Sequence, residues 1–454
     1  MKFSAVDLFA GCGGLSEGFR QAGFEIVSQV EMDRFACETL KTRHLYYLLK
    51  NEERMDVYFR FLKEEMDRDE IFKLYPSLSA LKEEIEKRVT QLEIKDEVIG
   101  RVVSRTRSSA KQMGINRINV VLGGPPCQPY SLIGRARDLN KKKDDGRHFL
   151  YRHYLKIIEF LKPDFFVYEN VPGLISAKNH NRKIFEALEE DFSSLNPAYE
   201  VLRDFRGDNN YLLLNSADFG VPQVRKRIFL IGCQKRILKK APEIKKLYFD
   251  FVKQALHNRQ KNGYLSVNDA IGDLPPLKTG EGSDEWFGPY NTEVENGYQE
   301  LMREDSPGVL NHRSRTHMKE DLERYRFFLR ESKENGNANL ITLKEKRPDL
   351  LPRHRNLEHF LDRFKVQEGE KPASTITAHL SKDGHYYIHP DIEQCRSFTA
   401  REAARCQSFM DNYKFEGSRT QQYIQIGNAV PPILAKAIAE NLKKLLEGFY
   451  DGKN

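Results

Sequence analysis

The chain has 454 residues and six cysteines, spread along its length with no CxxC pair among them. That absence excludes a disulfide framework and a zinc site built on thiolates, and it fits a reducing cytosol. No apolar run approaches the ~20 residues a bilayer span needs, so no membrane partner is expected. The N-terminus enters a strand-like pattern at once, without a signal-peptide layout. Internal repeats and low-complexity segments are missing too. Charge is nearly balanced: Lys+Arg 73 against Asp+Glu 66 gives a formal net charge of +7. Such an excess tolerates a polyanionic partner without requiring one. His379, His385 and His389 match no common metal spacing and have no cysteine beside them, so no metal is expected.

What the chain does have is alternation. Strands are expected over residues 3–9, 24–30, 118–122, 164–168, 211–214 and 228–231, with helices over 15–22, 151–161, 182–188 and 433–446. The pattern implies an open α/β sheet, in which ligands sit beyond the carboxyl ends of the strands. Glu31, Cys127 and Glu169 each fall just past an expected strand and so converge on one crevice. Two regions break the pattern. Residues 43–117 read as an amphipathic helical insertion packed on the main domain, with Leu81, Ile85, Val89 and Leu92 at helical spacing and Pro76 dividing it. Residues 233–394 turn irregular and basic, which suggests a second domain.

Chemistry concentrates in a few places. Cys127 follows Gly124-Pro125-Pro126, a stiff turn that aims the thiol and makes it a candidate nucleophile rather than an inert buried cysteine. The turn Ala10-Gly11-Cys12-Gly13-Gly14 has Ser16 where a pyrophosphate cradle needs its last glycine. It still lets a ligand approach the backbone closely, or serves structure alone. Glu31 stands at the ~20-residue offset where a carboxylate binds ribose hydroxyls, so a nucleoside cofactor without phosphates suits both features. Glu169 ends an apolar strand, as a buried acid or as a simple cap. Gln223, Arg225 and Arg227 share one face, and their guanidinium groups suit a base edge, a phosphate, the Glu169 carboxylate or plain solvation. Arg313, Arg315 and the basic stretches 235–246 and 344–355 offer either a phosphate-contacting or a solvated surface.

In order along the chain, these segments resemble the cytosine-C5 DNA methyltransferases. The matching segments are Asp7-Leu8-Phe9-Ala10-Gly11-Cys12-Gly13-Gly14, Val30-Glu31-Met32-Asp33, Gly124-Pro125-Pro126-Cys127-Gln128-Pro129-Tyr130-Ser131, Glu169-Asn170-Val171, Gln223-Val224-Arg225-Lys226-Arg227, Arg401-Glu402-Ala403-Ala404-Arg405 and Gln425-Ile426-Gly427-Asn428-Ala429-Val430. Each is weak alone; the ordered set is specific, and it covers nearly the whole chain apart from the insertion and much of 233–371.

The resemblance implies a Rossmann-like catalytic domain over 1–233, a smaller target-recognition domain over 234–424, and a segment over 425–454 that returns to the catalytic domain. It implies S-adenosylmethionine as cofactor, lined by Phe9, Gly11, Gly13, Gly14, Leu15, Glu31, Met32, Pro126, Leu150 and Asn428. Cys127 would add to C6 of a cytosine flipped from double-stranded DNA, with Glu169 and Arg227 holding the base and Arg225 supporting them. A monomer in the cytosol of a bacterium with a restriction–modification system, and a cognate endonuclease, is the context the resemblance implies. The insertion falls where the family places an acidic contact to adenine, so that residue has no assigned counterpart. Two rivals remain: an RNA cytosine methyltransferase, and a catalytically silent DNA-binding regulator, which would have lost Cys127, Glu169 or Arg227.

Overall fold

The computed structural model describes residues 2–125, 150–179, 182–202, 212–336, 338–352 and 361–451. Its centre is an eight-stranded sheet. The strands are β1 (Ser4–Leu8), β2 (Glu25–Glu31), β3 (Val89–Gln91), β4 (Val120–Gly123), β5 (Phe165–Asn170), β6 (Tyr199–Val201), β7 (Leu213–Asn215) and β8 (Lys226–Gln234). The order is β3-β2-β1-β4-β5-β8-β6, with β7 also paired to β8. Strands β1 to β5 pair in parallel, whereas β8 runs antiparallel to its three neighbours. The central strands β1 and β4 are buried at every position, as a parallel sheet covered on both faces requires. From β1 the chain turns to one side for β2 and β3 and then crosses to β4, so the switch point lies between β1 and β4.

Two apolar layers cover the sheet. One joins Phe19 of the helix Gly14–Gln21 to Leu434, Ile438, Leu442 and Leu445 of the helix Pro432–Asp451. The last helix of the chain is therefore part of the core around its first strand. The other layer takes Val102 from Ile99–Gln112, Ile157 and Ile158 from Leu150–Leu161 and Phe192 from Ile184–Ser194. Among the described residues, no helix is long and apolar enough to cross a membrane.

The segment between β2 and β4 is helical only in part. Pro76 does divide it, opening a short turn between the helices Arg68–Leu74 and Ser79–Arg88. Val89, expected on the same helix as Ile85, instead lies on β3 and pairs with Gln29. The free edge of β2 offers ladder hydrogen bonds, and β-branched Val89 and Thr90 suit a strand better than a helix. Ile85 keeps its place in a cluster with Leu45, Tyr58 and Leu310.

Beyond β8, two further strands, β9 (Gly282–Gly288) and β10 (Val309–Arg313), pair antiparallel. Here the motif at 401–405 has a structural job. Arg405 is fully buried, with Nε 2.9 Å from Asp411 Oδ1 and Nη2 3.1 Å from Asp273 Oδ2. Arg401 donates to the carbonyls of Leu310, Met410 and Tyr413 at 2.9 to 3.0 Å. Glu402 closes a capping box with Thr399 and accepts from buried Arg396. These buried charges are paired, the condition under which burial is tolerable. His385 meets the Tyr325 hydroxyl at 2.8 Å, and His389 lies 3.5 Å from Glu402.

Candidate active site

The carboxyl ends of β1, β2, β4 and β5 share one edge of the sheet. Phe9 leaves β1 with φ 58°, a left-handed conformation that a bulky L-residue adopts only under constraint. Gly11 follows with φ +54°, and a Cβ built on it meets nothing within 4 Å, so open space faces the turn. The Gly11 N–H donates to Glu31 Oε2 at 2.8 Å, while Glu31 Oε1 accepts from the Met32 and Asp33 N–H groups, each at 2.8 Å. Three amides thus orient one half-buried carboxylate; Oε1 is fully engaged and Oε2 retains a lone pair for a further donor.

The remaining glycines of the turn answer to packing. A Cβ on Gly14 would lie 2.1 Å from the Val430 carbonyl, and one on Gly13 would lie 2.6 Å from Leu40 Cδ2. The C-terminal segment is therefore pressed against the turn, and Asn428, exposed at the end of the helix Arg419–Asn428, stands beside it. Met32 is 63% exposed at the rim, which is unusual for a large apolar side chain. The side chain of Leu15 is buried in the core beneath the helix, so Leu15 presents its backbone at the turn. Leu150 opens its helix half-buried. Pro126 and Cys127 lie outside the described residues.

Across the crevice, Glu169 projects from β5 and is 14% exposed, with Arg227 Nε 3.2 Å from its Oε1. Burial pushes the Glu169 carboxyl above its ordinary range, and the charges of Arg227 and Arg225 only partly pull it back. A Cβ on Gly124 would lie 2.8 Å from Glu169 Oε2, so the turn leaving β4 passes directly over the carboxyl. Asn170 Nδ2 donates to the Pro125 carbonyl at 3.4 Å and holds that turn.

Gln223, Arg225 and Arg227 do share a face, but they divide its work. Arg227 alone meets Glu169. Arg225, 2% exposed, donates from Nη1 to the Ile376 carbonyl at 2.6 Å and from Nη2 to the Gly427 carbonyl at 3.2 Å. Burial depresses its guanidinium strongly. Gln223 is wholly buried, accepting from Ile376 N–H at 2.7 Å and donating to the Cys406 carbonyl at 3.1 Å. Arg315 is tied to the carbonyls of Leu380 and Lys382, and Arg313 to Asp284 at 2.9 Å.

Sequence reasoning missed Gly124, Asn170 and the segment around Ile376. The first two stand inside quoted motifs, and their contacts need the β4–β5 register, Gly123 opposite Tyr168, to be seen. Around Ile376 no motif marks the chain, which is found only through the side chains it receives. Past β3, the Leu92 N–H donates to the Glu31 carbonyl at 2.7 Å, and the exposed Glu93 beside it pairs with Lys95 at 2.7 Å.

Comparison with known proteins agrees with this geometry. The family described as C-5 cytosine-specific DNA methylase matches residues 3–67 and 81–444. A type II methyltransferase of Bacillus paralicheniformis is 38% identical, over 98% of this chain and 99% of its own. The type II methyltransferase M.DdeI of Desulfomicrobium norvegicum is 30% identical, over 97% and 89%. In fold, the chain is similar to the crystal structure of a prophage-encoded candidate DNA modification methyltransferase of E. coli, with TM-score 0.60, 22% identity and coverage of 98% and 100%. An α/β sheet with a carboxyl-edge crevice, and a sequence match along almost its whole length, place this chain among the C-5 cytosine-specific DNA methylases, as a DNA (cytosine-5)-methyltransferase.

Proposed function

We propose that the enzyme methylates C5 of a cytosine flipped out of duplex DNA, with Cys127 as nucleophile and S-adenosylmethionine as donor. The observation that carries this reading is the Glu169–Arg227 pair at 3.2 Å beneath the turn that leads from β4 towards Cys127. Two peptide units separate Pro125 from Cys127, which limits their Cα separation to about 7 Å. The other cysteines support the choice. Cys12, Cys37, Cys233, Cys395 and Cys406 are all buried, and burial pushes each thiol up, that of Cys37 to about 12. Such thiols are poor nucleophiles.

Cytosine C5 is weakly nucleophilic. Addition of the Cys127 thiolate to C6, with a proton delivered to N3, turns the ring into an enamine whose C5 is reactive. Glu169 suits the proton transfer, because burial keeps its carboxyl protonated at a higher pH than an exposed glutamate. Arg227 then faces the carboxylate that forms and offers its remaining N–H groups to the base. Loss of the C5 proton to a base, expulsion of the Cys127 thiolate and return of the N3 proton to Glu169 restore the aromatic ring and the starting groups. Flipping costs a few kcal/mol of stacking and pairing, offset by pocket and phosphate contacts.

The cofactor supplies an electrophilic methyl group. Glu31, oriented by three amides and with a lone pair of Oε2 to spare, suits a ribose hydroxyl, and the open space at Gly11 admits close approach of the ligand. Phe9, Met32 and Asn428 line the same edge, with backbone amides of Gly13, Gly14 and Leu15 at the helix start. Pro126 and Leu150 complete the proposed set, and Glu93, paired with Lys95 at 2.7 Å, is an acidic side chain just past β3. We assign target recognition to residues 234–424 and the role of Arg225 to holding Ile376 and Gly427 around the crevice. Similarity to type II methyltransferases supports protection of cytosolic host DNA against a cognate endonuclease; a monomer is the state proposed for the enzyme. The reading is tested by Cys127→Ser, which should abolish methyl transfer while cofactor binding survives; undiminished turnover would refute it.

A further inference from the structure

The opposite edge of the sheet carries a second concavity that methyl transfer leaves unused. Arg117 and Lys162 lie before β4 and β5, at the amino ends of the strands that finish beside Glu169. A cavity of about 710 Å³ opens there, within the range of small-ligand sites. Arg107, Lys111, Arg117, Lys162 and Arg236 surround it, and no carboxylate lines it among the described residues.

Several of these cations are held in place. Arg117 and Arg236 both reach Oδ1 of Asp164, the second at 3.6 Å. Asp164 is itself fully buried, and its Oδ2 accepts from Asn119 Nδ2 at 3.0 Å and the Tyr450 hydroxyl at 2.8 Å. Arg107 Nη2 donates to the Phe160 carbonyl at 2.7 Å. The backbone of Lys162 is left-handed, with φ 52°, and its carbonyl accepts from Gln234 at 2.9 Å. One carboxylate cannot neutralise five cations. A guanidinium has five donors in a fixed fork, so each anchored arginine keeps N–H groups for another acceptor. Concentrated positive charge in a concave site attracts anions, and planar forks match phosphate oxygens in pairs.

We propose that this basic cavity binds phosphate groups, as a site separate from the methyl-transfer crevice. The phosphate comes either from a free nucleotide or from the backbone of DNA reaching behind the sheet, and the test separates these sources. The variant is Lys111→Glu combined with Lys162→Asn, because asparagine tolerates the left-handed backbone and neither lysine anchors Asp164. Unchanged melting temperature and unchanged methyl transfer at saturating DNA show that it is folded. Calorimetry with ADP and with pyrophosphate reads the first source. Anisotropy of a labelled duplex lacking the recognition site, over a salt series, reads the second.

A nucleotide site predicts one-to-one ADP binding that weakens at least about tenfold in the variant, since two charge contacts are lost. A backbone site predicts no ADP binding, weaker duplex binding, and a log–log salt slope reduced by about 2. ADP, pyrophosphate and duplex affinities that are absent or unchanged between parent and variant would overturn the proposal. Should the pair of substitutions unfold the chain, Lys111→Glu alone, at an exposed helical position, reads the same quantities with about half the loss of slope.

Discussion

Arg227 Nε lies 3.2 Å from Glu169 Oε1, and the two side chains are equally enclosed at 14% exposure. The pair joins β5 to its antiparallel neighbour β8, where Phe229 stands opposite Glu169. Glu169 therefore experiences opposing influences: burial raises its affinity for a proton, and the guanidinium lowers it.

Glu169→Gln should reduce methyl transfer by about 10²–10⁴-fold, the usual yield of a positioned general acid, with cofactor affinity retained. Single-turnover transfer beside equilibrium binding of the cofactor separates the two effects.

Arg227→Ala removes the larger influence that lowers the Glu169 pKa. The residual activity should then fall off at a higher pH on the alkaline side than in the parent, because the acid form of Glu169 persists further. A pH profile of kcat/KM in both proteins reads the shift; an alkaline limb that stays put or moves down contradicts the acid role.

Gly11→Ala and Gly14→Ala should fail in different ways. At Gly14 the new Cβ would meet the Val430 carbonyl at 2.1 Å, so overpacking should lower stability by about 1–3 kcal/mol. At Gly11 it meets no neighbour, so the fold loses only about 1 kcal/mol of backbone strain while cofactor affinity falls. Urea unfolding and cofactor titration on both variants check the split.

Much of this was legible in the sequence. The near-continuous apolar runs of β1, β4 and β5 signal a parallel sheet, and acidic residues at the carboxyl ends of β2 and β5 mark its ligand edge. Other features were not legible because they are contacts between distant segments. Nothing near Arg225 in sequence shows that its partners are the carbonyls of Ile376 and Gly427. Val89 shares helical spacing with Ile85, and only the vacant edge of β2 decides for a strand. Arg401 and Arg405 look like surface charge until Asp273 and Asp411 are brought to them by the fold.

Asp7, buried in β1, has its carboxyl pushed up to about 7, mainly by burial, with nearby Glu31 adding to the rise. The folded chain thus binds this proton more tightly than the unfolded chain, whose aspartate titrates near pH ~4. Stability from this group is present below that pH and lost as pH rises through about 7. Asp7→Asn should therefore be stabilising near pH ~8, by at most roughly 4 kcal/mol, with the difference from the parent vanishing near pH ~4. Urea unfolding across that range is the measurement.

The most direct test uses duplex DNA with 5-fluorocytosine at the target position, which lacks the C5 proton whose loss would free the enzyme. Mass spectrometry of digested protein should find the base attached at Cys127 after one turnover, and no adduct in Cys127→Ser. A parent enzyme that turns over without adduct, or that carries it on another residue, contradicts the covalent mechanism.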